Sequence, residues 1–135
     1  MRIELTSKEY RRLLDLVYIG NWILNSTREG DRQTDYDRLE SKLFAQSLLH
    51  NMPGLCELSG GVPVPSQAFT YGGIHEAISN YEDAVFFDIL AEELALRDMC
   101  YEQIPEDDID ELNGRIEEYI EEFDENGIDN IVLEK

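Results

Sequence analysis

The chain has 135 residues, 42% of them hydrophobic and 30% charged, with a formal net charge of −19. A domain of this length hides roughly two-thirds of its unfolded surface and needs neither disulfide nor metal to fold. The charge excludes a basic face for DNA or RNA phosphates and disfavours anionic membrane surfaces, and no run of about 18 apolar residues is present to span a bilayer.

At the N-terminus "RIELT" alternates polar and apolar residues as a half-buried strand does. It predicts a short β-ribbon with "IDNIVLEK" at the other end. "MRIELTSKEY" lacks the apolar segment of a signal peptide, which places the protein in the cytoplasm. There Cys56 and Cys100 stay reduced, since they match no metal spacing or disulfide framework.

The first helix is expected over residues 7–28. Thr6 and Glu9 form a capping box, flanked by a Leu5/Tyr10 staple. Its apolar residues cover more than one face, as in a helix packed by several neighbours. Tyr18, Asn21, Trp22 and Asn25 stand at i, i+3, i+4 and i+7. Asparagine is a poor residue for a helix interior, so two of them beside the only tryptophan have two readings. They supply interhelical hydrogen bonds around a core tryptophan, which is the preferred reading, or they line a ligand pocket completed by His75 and the 60–76 loop.

A second helix is expected over 35–51, starting at Thr34 or Asp35 and ending at "NMPG". Residues 54–78 read as a long connection. "SGGVPVPSQ" holds two glycines and two prolines, which exclude a central strand and an ordinary helix. Val62, Val64, Phe69 and Tyr71 argue that part of it packs, and "IHEAIS" can form a short helix. His50 and His75 lie in no HExxH or Glu-x-x-His pattern.

The third helix is expected over 80–103, with Ser79 and Glu82 as a capping box and apolar residues spread widely enough for a central position. Asp88 and Glu92 read as a solvated stripe, and Glu93 pairs with Arg97 four residues on. The fourth helix, 105–126, opens with Pro105 in its first turn. Ile109, Leu112, Ile116, Ile120 and Phe123 form one narrow apolar seam on an acidic rod. Glu117/Glu121, Glu118/Glu122 and Glu121/Glu125 are like-charge neighbours, each costing roughly 0.2–0.5 kcal/mol. Relief must come from Arg115, from Arg11, Arg12, Arg28, Arg32, Arg38 and Lys42 on the first two helices, or from a partner.

The tail "EEFDENGIDNIVLEK" superficially resembles a calcium loop. With Gly127 at the sixth position of an EF-hand loop, the twelfth is Leu133, and Glu134 falls one residue late. Asn126-Gly127 reads instead as a helix C-cap, and the chain is expected to hold no metal and no cofactor. No P-loop, GxGxxG or GxSxG is present, so the sequence leans towards a non-enzyme.

The charge is unevenly placed. Residues 1–50 hold eight acids and eight bases, 51–101 hold eight acids against Arg97, and 102–135 hold fourteen acids against Arg115 and Lys135. The leading expectation is a non-enzymatic interaction or regulatory module that presents Glu117, Glu118, Glu121, Glu122 and Glu125 to a basic protein. Self-association, a small-molecule site near Trp22, and nucleic-acid mimicry by the acidic helix are the alternatives.

"LTSKEYRRLLDLVYIGNWILNS" and "YEDAVFFDILAEELALRDM" resemble small bacterial proteins of unknown function that share a "GNW" helix and a later "Y-acid-acid…F…L…RD" helix. The resemblance implies a soluble bacterial protein and brings no catalytic residues with it. The predicted architecture is mainly α: a compact, four-helix, bundle-like single domain spanning 1–135, with a long loop between the second and third helices.

Overall fold

The computed structural model describes residues 1–101 and 103–134. The chain is mainly α, and its described residues form four helices of three or more turns and one small antiparallel sheet. It divides into two compact units, Met1–Ile78 and Ser79–Lys135.

The first unit opens with α1, Ser7–Asn25. The expected capping box is complete: Thr6 accepts the Glu9 N–H at 3.1 Å while the Glu9 carboxylate reaches back to Thr6. A cap of this kind contributes about 1 kcal/mol. The second helix, α2 (Thr34–Ala45), stops six residues short of expectation and relaxes into a 3₁₀ turn at Gln46–Leu48. Neither Thr34 nor Asp35 caps it; the cap position is Gln33, whose own side chain is not used.

The segment "SGGVPVPSQ" forms a hairpin that the sequence reading missed. Strands β1 (Cys56–Ser59) and β2 (Val62–Pro65) pair antiparallel, with Ser59 opposite Val62 and Cys56 opposite Pro65. Gly60 and Gly61 have φ of 58° and 81°, the two left-handed residues that a type I′ turn needs. Counting from that turn, alternation puts Pro63 and Pro65 at the non-hydrogen-bonded positions, where no ladder N–H is required. Proline therefore excludes a central strand here but not a two-stranded hairpin, both of whose strands are edges. The one-turn helix α3 (Gln67–Phe69) follows, capped by Ser66.

The core of this unit gathers Tyr10, Leu14, Phe44, Cys56 and Phe69, with Tyr18, Leu43, Met52, Leu55 and Ile74 packed against it. Phe44 meets Phe69 edge-to-face at 4.9 Å, and the Tyr10 hydroxyl donates to the Leu43 carbonyl at 2.6 Å. A wide turn at Thr70–Ile74, broken by Gly73 at φ 110°, leads into α4, His75–Asp98. The expected "IHEAIS" helix and the third helix are thus one helix. Ser79 lies inside it and is not its cap.

The second unit is built from the remainder of α4 and from α5, Ile109–Asn126, which is preceded by a 3₁₀ turn at Glu106–Asp108. Helix α4 ends five residues before the expected boundary. Cys100 and Tyr101 adopt φ of 63° and 53°, and their N–H groups close on Arg97 and Leu96 carbonyls at 2.9 and 2.8 Å. This is a Schellman ending with cysteine where glycine is usual. Phe87 packs on Phe123 at 5.4 Å, and Ala91 and Ala95 are buried. The expected Glu93–Arg97 pair is replaced. Arg97 bonds Asp98 at 3.0 Å, and Tyr119 of α5 donates to the same carboxylate, clipping the two helices together.

The expected terminal ribbon does not form: the only paired strands among the described residues are β1 and β2. Ile3 and Leu5 are exposed rather than half-buried, so the alternation of "RIELT" has no face to cover. The opposite end spends its N–H groups on local turns, Asp129 to Asn126 and Ile131 to Ile128. A lone two-strand ribbon gains too little to displace them.

Candidate functional site

The five residues singled out around Trp22 come together in the first unit. Asn25 is fully buried, and its side chain answers both backbone groups of Gln33: Oδ1 accepts the N–H at 2.8 Å and Nδ2 donates to the carbonyl at 3.1 Å. Nδ2 also donates to Asn21 Oδ1 at 2.6 Å. Asn21 then donates to Asp37 and to Glu40, each at 3.0 Å. Both asparagines are therefore interhelical connectors: Asn21 stands inside α1 for that reason, while Asn25 is the helix's last residue rather than an interior one, because α1 ends three residues before expectation. Trp22 is not the core residue expected: it is 37% exposed.

Tyr18 and His75 join by a 2.6 Å hydrogen bond between Oη and Nε2. The His75 ring meets Trp22 edge-on at 4.6 Å, and Tyr18 lies nearly parallel to Trp22 with centroids 6.3 Å apart. A cavity of about 360 Å³ at the N-terminal end of α1 is lined mainly by apolar side chains such as Ile3, Leu5 and Leu43. A second of about 210 Å³ opens beside Trp22, lined by Tyr18, Asn21, Ser26, Arg32 and Glu40. Arg32, Ser26 and Glu40 were not anticipated there. The available signal was that two buried amides need acceptors, and Asp37 and Glu40 stand three apart on the next helix.

Burial pushes the Glu40 carboxyl above its ordinary value, while the Arg32 guanidinium holds Asp37 below its own. Desolvation, aided by the Glu40 charge, raises the Tyr18 phenol. The 60–76 loop contributes His75's approach and the buried Phe69, whose ring lies 5.3 Å from Tyr18.

In the second unit Glu117, Glu118, Glu121 and Glu125 are exposed on α5. Glu122 is half-buried and accepts from Asn126 at 3.2 Å and Asn130 at 2.6 Å. Gly127 ends α5 as expected, with φ 57° and its N–H closing on the Phe123 carbonyl at 2.9 Å, but its ψ of −130° is not that of the left-handed helical cap expected. Arg115 bonds Glu111 at 2.9 Å. Arg11 and Arg12 bond Asp15, Arg28 bonds Asp31 and Arg32 bonds Asp37 within the first unit. Asp88 and Glu92 are exposed, as a solvated stripe should be.

Counted by unit, residues 1–78 carry ten acids against eight bases, and residues 79–135 carry twenty against three, or −2 and −17. The acidity is a property of one unit. No protein-family model, curated protein or solved structure matches this chain.

Proposed function

We propose that the chain is a non-enzymatic interaction module whose 79–135 unit receives a cationic protein partner. The single observation that supports this is the charge of −17 on a unit built around two helices, with Glu117, Glu118, Glu121 and Glu125 turned to solvent. Its described cations, Arg97 and Arg115, are already bonded to Asp98 and Glu111. Tyr81, Phe86 and Ile89 of α4 are 63%, 50% and 57% exposed, and they add apolar area to a surface that like charge would keep from pairing with itself. A basic partner relieves that repulsion; a second copy increases it.

The reading places the protein in a reducing bacterial cytoplasm, where buried Cys56 and exposed Cys100 persist as thiols. Among the described residues no helix is long and apolar enough to cross a membrane.

Affinity capture from the native host, with the unmodified chain and with a variant carrying E117Q, E118Q, E121Q and E125Q, tests the proposal. The partner should be retained at about 0.1 M salt, released towards about 1 M, and lost with the variant. Equal recovery by the two proteins at both salt concentrations overturns it.

A further inference from the structure

The 210 Å³ cleft beside Trp22 has three features that together select a ligand class. The first is charge. Arg32 is committed to Asp37 through two bonds of 2.6 and 2.8 Å, whereas among the described residues Glu40 receives only the Asn21 amide at 3.0 Å. Two carboxylates and one guanidinium leave one negative charge unmatched.

Its walls are the second. Tyr18 and Trp22 line the cleft, and an aromatic ring beside a bound cation attracts it through its negative face, more strongly as water is excluded. The third is preorganisation. The Tyr18–His75 bond and the 4.6 Å contact of His75 with Trp22 fix both rings before any ligand arrives. Fixed rings spare the ligand the entropy of ordering them.

The geometry points to a binding site for a small organic cation, an ammonium head seated between the Trp22 ring and the Glu40 carboxylate. Size agrees: drug-sized ligands occupy roughly 300–1,000 Å³, so this cleft suits an ammonium head group and is too small for a nucleotide. Glu40 carries the added weight that burial already disfavours its unpaired charge, so a cation that neutralises it relieves a cost present in the empty site. The site lies in the near-neutral 1–78 unit and does not depend on the acidic surface of α5.

Trp22 is the only tryptophan, so fluorescence excited selectively at tryptophan, away from the seven tyrosines, reports on the cleft. The full chain is titrated with choline chloride and with ethanolamine hydrochloride, against matched sodium chloride. 3,3-Dimethylbutan-1-ol serves as the uncharged isostere of choline. A saturable change with at least one of the two cations, absent with the alcohol, is expected, and Glu40→Gln should weaken it about tenfold or more. The quaternary and primary probes separate an aromatic-face preference from a hydrogen-bonding one. No saturable change with either cation, or an equal change with the alcohol, overturns the site. Because Glu40 also accepts from Asn21, the variant is checked by circular dichroism; should it unfold, the comparison of choline with its isostere on the unmodified chain decides.

Discussion

The Asn25 side chain meets the N–H and the C=O of Gln33 while its Nδ2 also serves Asn21, so one residue closes the α1–α2 connection. Replacing it with alanine strands both Gln33 groups and Asn21 Oδ1, and Asn25→Ala should cost about 2–4 kcal/mol in urea unfolding. Asn25→Asp keeps the acceptor for the Gln33 N–H but loses both donors and buries a charge, so it should do no better than alanine. A loss under about 0.5 kcal/mol for either would show that water replaces the amide. Cys100 is the opposite case. It is exposed and sits at φ 63° in the Schellman ending of α4, where a side chain is strained and only the backbone is needed. Cys100→Gly should raise stability by about 1 kcal/mol, read as an increase in the urea midpoint with an unchanged slope.

Among the elements, α5 shows charge working against the helix that bears it. Glu121 repels Glu117 and Glu125 at once, so Glu121→Gln removes two unfavourable neighbours and should stabilise the helix by roughly 0.4–1 kcal/mol. The same substitution should weaken capture of a cationic partner; a variant that melts higher yet binds less well is the combination to look for. How much of this architecture was legible depended on how local its causes were. The Thr6/Glu9 box, the α5 seam from Leu112 to buried Phe123 and the helix end at Asn126-Gly127 are set within a few residues and appear where the sequence placed them, whereas Ile109, the expected start of the seam, is 43% exposed. The hairpin was obscured because proline reads as a strand breaker unless the register is known, and register is a pairwise property. The start of α4 was misplaced because Ser79 has the chemistry of a cap. The break that the helix needs is supplied upstream by Gly73, so α4 begins at His75 and runs through Ser79. In the cleft, Tyr18, Asn21 and Trp22 could be seen as a helical stripe and their neighbour His75 as a lone histidine. Glu40 and Arg32 could not, since their roles arise only when α2 docks on the asparagines of α1.

For the whole molecule, a net charge of −19 acts on folding through self-repulsion, and its concentration in residues 79–135 says where that repulsion falls. Screening should therefore tighten one unit more than the other. In hydrogen exchange, raising salt from about 0.05 to 0.5 M should slow the amides of α5 by a larger factor than those of α1 and α2. The pH response follows from three named carboxyls. Asp98, bonded by Tyr119 and Arg97, and Asp37, bonded by Arg32, are held below the ordinary value of 3.8. Their folded-state values are lowered, so their stabilisation is present above 3.8 and is lost as pH falls through the lower folded values. Glu40 runs the other way: burial raises it above 4.5, so protonation favours the fold, and that benefit fades as pH rises through its folded value. The melting temperature should thus rise from pH 7 towards about pH 5 and fall again below about pH 4, where Asp37 and Asp98 begin to lose their partners. A melting temperature that instead falls steadily from pH 7 to 5 would mean that the Asn21 hydrogen bond and the Arg32 charge outweigh burial at Glu40 and favour its carboxylate.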